Sequence, residues 1–152
     1  MRQDTRLSRV LHVLIHMEKH EKPATSDAIA AMLQTNPVVV RRTMAGLRDA
    51  GYVTSEKGHG GGWVLARPLA EITLLDIHKA LGNPDMFSIG LSGDNPACVI
   101  EQSVNVALAD AMTEAQALLL SRFGKITLAD LARESFNRWA QSGHKPSAME
   151  GF

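Results

Sequence analysis

The hydrophobic and polar positions of the first fifty residues alternate with the period of amphipathic helices. One apolar face predicts a first helix over about residues 5–19, and a second predicts a short helix over residues 26–33. A third helix begins at Asn36-Pro37, an N-cap followed by proline in the first turn, and ends at Gly51 as a C-cap glycine. The second and third helices, joined by a short turn, predict a helix-turn-helix.

The segment after the third helix has the pattern of a β-ribbon. Residues 52–55 and 63–65 predict two strands, and they flank the tip sequence Lys57-Gly58-His59-Gly60-Gly61-Gly62. Glycine tolerates the positive φ that a tight turn needs, and a tip without bulky side chains can approach a phosphate backbone closely. Helices followed by such a ribbon predict a winged helix, a fold that reads double-stranded DNA.

Two copies of one helix-start signature follow the ribbon, Ile72-Thr73-Leu74-Leu75-Asp76-Ile77 and Ile126-Thr127-Leu128-Ala129-Asp130-Leu131. In each copy the threonine caps a helix and the aspartate three residues later completes a capping box. We interpret them as local helix starts and not as a repeat of the fold.

The pattern divides the chain into four parts. Residues 1–81 form the winged helix-turn-helix domain, and residues 82–97, with three glycines and two prolines, form a loop. Residues 98–136 hold a long dimerisation helix, stopped by Gly124, and a following helix, while residues 137–152 are predicted to be a mobile tail. The predicted fold class is mainly α with a small β-ribbon wing and a long dimerisation helix.

The long helix, residues 98–123, is too extended for a small domain to cover. It spans about 39 Å at ~1.5 Å per residue. Its apolar stripe consists of Ile100, Val104, Leu108, Ala111, Met112, Ala115, Leu118 and Leu119. We expect the same helix of a second copy to cover this stripe and to form a homodimer. Packing within the chain against the first helix is the alternative.

The charge distribution supports contact with nucleic acid, although the net charge is zero. Residues 1–68 carry ten Lys or Arg and six Asp or Glu, a net charge of +4, and residues 69–152 carry six and ten, a net charge of −4. A basic half is expected where one end of a protein faces phosphate. The sequence has no apolar run long enough for a membrane span and no signal-peptide core, and its single cysteine fits a reducing cytoplasm.

The N-terminal part of the third helix should enter the major groove, as in other helix-turn-helix proteins. The spacing of Val40 to Met44 and Leu47 turns these three side chains toward the core. The outward positions are then Asn36, Val38, Val39, Arg41 and Arg42. Arginine can pair with guanine and an apolar side chain can meet a thymine methyl group, while phosphate contact is the alternative for both arginines.

Further DNA contacts are predicted from the wing and from helix starts. Lys57 and His59 at the wing tip would reach the minor groove or its flanking phosphates. The weaker phosphate candidates are Arg9, Thr25, Ser26, Thr43 and Arg48. Ser26 can donate to phosphate together with the helix amides, and capping of the helix is its alternative role.

Other classes of protein have less support in the sequence. His12, His16 and His20 are one turn apart on the first helix, a spacing that can bind a divalent metal, but a polar helix face explains it more simply. The sequence has no phosphate loop, nucleophile elbow or dinucleotide fingerprint, so we expect neither an enzyme nor a metal site. A winged helix that serves only in protein interaction is the remaining alternative; unchanged DNA affinity after neutralising Arg41, Arg42 and Lys57 would favour it.

The chain resembles the Rrf2 family of bacterial regulators from Ile29 to Thr73. The residues that carry the likeness are Leu47-Arg48-Asp49-Ala50-Gly51-Tyr52-Val53 and Lys57-Gly58-His59-Gly60-Gly61-Gly62-Trp63-Val64-Leu65. The family includes the iron–sulfur-cluster regulator, the nitric-oxide-sensitive repressor and the cysteine-metabolism repressor, and the likeness covers most of residues 1–135. It implies a winged-helix homodimer with a long crossing helix, which binds a palindromic operator and commonly represses.

Many members of the family hold an iron–sulfur cluster with three cysteines between the wing and the long helix. This chain has only Cys98, at the place of the last of the three, and residues such as Met86 and Ser92 stand where the others would lie. Glu101 stands where the cluster-binding regulator has a further ligand. One thiolate cannot supply the usual ligand set, so we expect no iron–sulfur cluster and no other cofactor.

Two kinds of signal remain open. If Cys98 begins the long helix, the helix N-terminus favours its thiolate, which can oxidise to sulfenic acid or pair with a partner thiol. An inert, partly buried cysteine is the alternative. The other possibility is a small ligand or a protein partner between the wing and the dimerisation helix, for which the sequence has no pocket signature.

Overall fold

The computed structural model describes residues 3–143 of the chain. Six α-helices, one short 3-10 helix and two strands follow one another in these residues: α1 (Arg6–Lys19), α2 (Ser26–Leu33), α3 (Pro37–Asp49), β1 (Val53–Glu56), β2 (Gly62–Leu65), the 3-10 helix (Leu69–Glu71), α4 (Leu74–Ala80), α5 (Val99–Phe123) and α6 (Leu128–Ser142). The predicted fold class, mainly α with a small β-ribbon, is confirmed.

Local capping residues fix the starts of α2 and α3. The Thr25 hydroxyl accepts a hydrogen bond from the Ala28 amide, and the Asn36 side chain accepts one from the Val38 amide at 2.8 Å. Gln34, at the C-terminal end of α2, has a positive φ of 51°, which turns the chain sharply into α3. Thr25, and not Ser26, is therefore the residue that caps α2.

The wing is a two-stranded antiparallel ribbon that is joined to the start of α2. Val53 pairs with Leu65 at its base and Glu56 pairs with Gly62 near its tip. Trp63 of β2 also forms a bridge with Ala24, with N–O distances of 2.9 and 2.8 Å for the two backbone hydrogen bonds. The ribbon is thus a third element of the helix-turn-helix unit and not a free hairpin.

The two capping boxes lie next to each other, at the starts of α4 and α6. Both predicted boxes are present, with Thr73 and Asp76 in one and Thr127 and Asp130 in the other. Thr73 and Thr127 form an antiparallel bridge, in which the Leu74 amide donates to Ile126 and the Leu128 amide donates to Ile72. The two helix starts, which the sequence predicted as separate local features, therefore contact each other. The sequence did not predict this long-range contact.

Helix α6 belongs to the core of the N-terminal half. Leu128 and Ala132 are buried in one hydrophobic cluster with residues of α1, α2 and α3, and α6 packs against α1 and the 3-10 helix. Lys19 of α1 places its ammonium 3.5 Å from the centre of the Phe136 ring. The predicted division places this helix with α5, whereas its main contacts in the structure are with α1 and the 3-10 helix.

The C-terminal end of α6 also differs from the predicted tail. Residues 137–142 are helical, because the amphipathic pattern that buries Leu128 continues with Phe136 and Trp139 half-buried. The rest of the predicted mobile tail, residues 144–152, lies outside the described residues.

Helix α5 contains 25 residues, and none of them is buried. It follows a segment without helix or strand after α4, as predicted for residues 82–97. Within residues 3–143 only α4 makes more than sparse contact with it. No helix in the described part of the chain has the length and apolar character needed to cross a membrane.

Candidate DNA-binding surface

The N-terminal turn of α3 presents apolar and basic side chains to solvent. Val38 and Val39 are 56% and 53% exposed, and Arg41 and Arg42 are exposed beside them. Val40, Met44 and Leu47 are buried on the opposite face and anchor the helix to the core. The spacing therefore predicted correctly which face of α3 points outward; that this face contacts DNA stays a prediction.

Arg41 and Arg42 of α3 are available for a ligand. Among residues 3–143, ion pairs form at four other arginines: Arg6, Arg48, Arg133 and Arg138. Arg41 and Arg42 have no such carboxylate partner in this part of the chain. An incoming phosphate or guanine therefore does not have to displace a carboxylate from either guanidinium.

The weaker phosphate candidates divide into two groups. Arg9 of α1 and Thr43 of α3 line a cavity of about 80 Å³ between these helices, together with Val39, so the structure brings them beside the exposed turn of α3. Arg48 instead pairs with Asp49 at 3.3 Å. Both of those side chains are exposed, and such a pair contributes little because solvent screens it.

Ser26 has a role that the sequence did not predict. Its hydroxyl oxygen lies 3.0 Å from the indole nitrogen of Trp63 and accepts a hydrogen bond from it. Trp63 is 8% exposed, so this bond satisfies a buried donor and links the wing to α2. The hydroxyl can still donate to a phosphate, because a serine oxygen can donate and accept at once.

The wing tip is open and basic. Lys57 and His59 are exposed, and the φ values of Gly58 and Gly60 are 92° and 79°. The Gly61 amide donates to the Gly58 carbonyl at 3.0 Å, and a Cβ at Gly61 would overlap the Glu56 carbonyl oxygen. The glycines therefore allow the tight turn that holds Lys57 and His59 at the tip, as the pattern predicted.

Cys98 lies immediately before the first residue of α5 and is half-buried. Its amide donates to the Asn95 carbonyl at 2.9 Å, and its side chain makes no capping hydrogen bond. Glu101 holds the preceding loop, since its carboxylate accepts hydrogen bonds from the Asn95 amide and from the Ser92 hydroxyl at 3.1–3.2 Å. The thiol is thus next to a loop that Glu101 orders.

The three histidines of α1 lie close to one another along the helix. His12 and His16 are in edge-on ring contact, with centroids 4.6 Å apart. Burial, and then the nearby charges of His12 and His20, lower the pKa of His16. Within residues 3–143, no group of three or more His, Cys, Asp or Glu side chains has the arrangement to hold a metal ion.

Sequence reasoning missed His78, the buried polar residue of the core. It lies in α4 next to Ile77 and is 4% exposed. The sequence shows only a histidine next to Ile77 in a predicted helix. Histidine is also common on helix surfaces, so this pattern does not indicate burial.

The capped α3 with its available arginines, joined to a glycine-tipped wing, defines a winged-helix DNA-binding transcriptional regulator. Residues 3–134 match the profile of a family described as iron-dependent transcriptional regulators. The chain belongs to this family, the Rrf2 family.

Individual relatives agree with this assignment. YwnA of Bacillus subtilis, named an HTH-type transcriptional regulator, is 29% identical over 133 residues, which cover 88% of this chain and 98% of YwnA. The structure of CymR, the global cysteine regulator of B. subtilis, is similar with a TM-score of 0.57 and 27% identity, covering 88% of this chain and 98% of CymR. The family and these relatives are regulators, so the expectation that the chain is not an enzyme is confirmed.

A third likeness concerns the fold alone. The structure of IscR from T. potens has a TM-score of 0.63 with this chain at 20% identity, over 89% of this chain and 88% of that one.

The residues around Cys98 do not fit an iron–sulfur cluster. Such clusters are held mainly by several cysteine thiolates, and the whole sequence contains one cysteine. Glu101, the predicted equivalent of a further ligand, already accepts hydrogen bonds from Asn95 and Ser92. This donor set therefore differs from the one that the family description suggests.

Proposed function

We propose that this regulator is a homodimeric repressor that binds a palindromic operator. The N-terminal turn of α3 from each protomer enters a major groove, and each wing contacts the flanking minor groove or its phosphates. The observation that carries the DNA-reading part is the exposed turn after Asn36, where Val38, Val39, Arg41 and Arg42 point outward. Two-fold symmetry would place the half-sites about 34–36 Å apart, or a multiple of it.

Alanine variants of Arg41 and Arg42 test which of them reads a base. We expect a base-reading arginine to lose about 1–3 kcal/mol of binding free energy on the operator and much less on a scrambled duplex. A phosphate-contacting arginine would weaken both duplexes alike and lower the slope of log K against log salt by about 0.9. Fluorescence anisotropy with a duplex from the gene's own upstream region measures both quantities.

Arg138→Ala is the matched control, because Arg138 is exposed on α6 and is not part of α3, the wing or the stripe of α5. It should leave both affinities unchanged. Equal affinity of the wild type and the Arg41→Ala, Arg42→Ala double variant for the operator would contradict the proposed role of α3.

The homodimer is supported by the uncovered surface of α5. Ile100, Val104 and Leu118 of the predicted stripe are 75%, 51% and 74% exposed. Exposed apolar surface is not confined to that stripe, since Val99 and Val106 are 72% and 60% exposed. Large contiguous apolar patches on a protein surface mark interaction sites. A second α5 offers a surface of the same length and the same apolar character.

Val104→Asp tests this interface and Thr113→Asp is its control. Positions 104 and 113 are on opposite faces of the helix, since nine residues at about 3.6 per turn make two and a half turns. A carboxylate buried in the interface costs several kcal/mol, so the dimer dissociation constant should rise by about a hundredfold or more. Sedimentation equilibrium should show this weakening for Val104→Asp alone; equal behaviour of both variants contradicts the stripe as the interface.

For the signal, we propose oxidation of Cys98 without an iron–sulfur cluster or another cofactor. The Cys98 thiolate attacks a peroxide, takes one oxygen atom to become a sulfenic acid and releases hydroxide. Its place next to the Glu101-ordered loop and α5 supports an effect on the dimer helix. Operator affinity should fall after mild peroxide and return with a thiol reductant, and Cys98→Ser should not respond; a wild type that does not respond either directs the search to a ligand.

A further inference from the structure

A cleft of about 710 Å³ lies between the DNA-binding core and α5. The start of α1, the buried face of α4, the loop after α4 and the C-terminal part of α5 form its walls, which include Leu7, Met86, Leu119 and Phe123. Sites for small molecules are mainly apolar clefts of about 300–1,000 Å³ with a few polar groups. The cleft has the size of such a site, and its walls combine apolar and polar groups in about equal parts.

His78 is the polar group at the inner side of the cleft. Its side chain lines the cleft although the residue is only 4% exposed. Within residues 3–143 the ring contacts Phe123 edge-on, with centroids 6.1 Å apart, and no protein group is hydrogen-bonded to the imidazole, whose nitrogens are not fully enclosed by the protein. Buried polar side chains in proteins are nearly always hydrogen-bonded. The cleft is therefore the place from which a partner for the His78 nitrogens can come.

The charges at the rim restrict what such a partner can be. Asp4 and Asp85 both line the cleft; Asp4 is paired with Arg6 at 2.6 Å, and Asp85 is exposed. Burial lowers the pKa of His78, so its ring is neutral at pH 7 and offers one donor and one acceptor nitrogen. A neutral ring beside two carboxylates provides no positive charge for an anion.

We propose that this cleft binds an effector, a small aromatic molecule that is neutral or cationic and whose hydroxyl or amino group hydrogen-bonds to His78. Its ring lies against Leu7, Leu119 and Phe123. The site joins α1 of the DNA-binding core to α5, so an occupant that fits one relative position of these helices better than another shifts their equilibrium. The effect on operator binding rests on the proposed function, whereas binding of the molecule does not.

The first test is nuclear magnetic resonance of the full-length protein with ¹⁵N-labelled histidine at constant pH. Phenol, tyramine and benzoate are the probes, a neutral, a cationic and an anionic aromatic molecule. The His78 ring signals, assigned by their absence in His78→Phe, should shift with phenol and tyramine in a saturable way and stay in place with benzoate. No shift with phenol or tyramine, or an equal shift with benzoate, overturns the proposal.

Two further variants keep the test independent of the fold around His78. Leu119→Trp fills the cleft and should abolish tyramine binding, whereas Ser121→Trp, on the opposite and exposed face of α5, should leave it unchanged. His78→Phe should weaken tyramine binding by about twofold to tenfold, the worth of one hydrogen bond. Equal tyramine affinity of the wild type and Leu119→Trp overturns the proposal, even when all variants keep their helical circular dichroism.

Operator binding separates this proposal from the proposed function. Specific DNA binding by a protein whose cleft takes none of the probes leaves the regulator intact and removes the effector site. Tyramine binding at His78 by a protein that does not bind the operator specifically keeps the effector site and contradicts the proposed operator binding.

Discussion

Replacing Gly62 by alanine tests how firmly the wing is fastened to the helix-turn-helix. A Cβ at this position would lie 2.7 Å from the Ala24 carbonyl oxygen and 2.8 Å from its carbon, at a positive φ of 154°. An ordinary contact begins at 3.4 Å, so β2 must move away from Ala24 by 0.7 Å, the difference between these two distances. Such a movement lengthens both backbone hydrogen bonds between Ala24 and Trp63, now 2.9 and 2.8 Å, beyond the usual range.

The expected loss of stability follows from these contacts. Two weakened hydrogen bonds cost about 1–3 kcal/mol, and a side chain at an unfavourable positive φ costs about 1–2 kcal/mol more. The free energy of unfolding of Gly62→Ala should therefore fall by about 2–5 kcal/mol, a large share of the roughly 5–15 kcal/mol of a typical domain. Urea unfolding followed by far-ultraviolet circular dichroism, at one protein concentration, measures this loss.

Gly60→Ala is the matched control, since Gly60 has a φ of 79° and a Cβ there would meet nothing within 4 Å. It should cost only the backbone term of about 1–2 kcal/mol. If Gly62→Ala destabilises no more than Gly60→Ala, the bridge to Ala24 contributes little and the reasoning about the fastened wing is wrong.

Three more outcomes follow from buried contacts. Ser26→Ala removes the acceptor of the Trp63 indole and should lower the free energy of unfolding, measured in urea, by about 1–3 kcal/mol. An unchanged free energy of unfolding would show that this hydrogen bond does not stabilise the fold. Leu128→Ala should cost about 2–5 kcal/mol and weaken operator binding too, because α6 completes the core; unchanged unfolding would exclude this packing. Burial lowers the pKa values of His16 and His78, so the unfolded chain binds more protons below about pH 6.5, and stability should be full above that pH and fall below it. The urea midpoint against pH shows this, and a flat profile from pH 5 to 8 contradicts it.

The helix-turn-helix and the wing could be predicted because their signals are local. The N-caps, the helical period and the glycine-rich tip each act within a few residues, and Asn36, Gly51 and Gly58–Gly62 occupy the expected places in the structure. For the same reason the outward face of α3 followed from the spacing of Val40, Met44 and Leu47. Local consistency of this kind is what makes a sequence fold reliably.

The features that escaped prediction all depend on contacts between distant parts of the chain. The bond from Trp63 to Ser26, the bridge between Thr73 and Thr127 and the burial of His78 join segments whose proximity no periodicity reveals. The packing of α6 against α1 is of the same kind, because an amphipathic pattern shows that one face of a helix is buried but not which element covers it.

The return of α6 to α1 also affects how the protein is made. Helix α1 leaves the ribosome before α6, but the core that α1 begins is closed by Leu128 and Ala132 of α6. Chains are synthesised from the N-terminus, and contacts between distant segments form late because the loop between them must close first. A nascent chain that has α1 to α4 but lacks α6 therefore has an open core. Only a chain that includes α6 can close the core on which α3 packs.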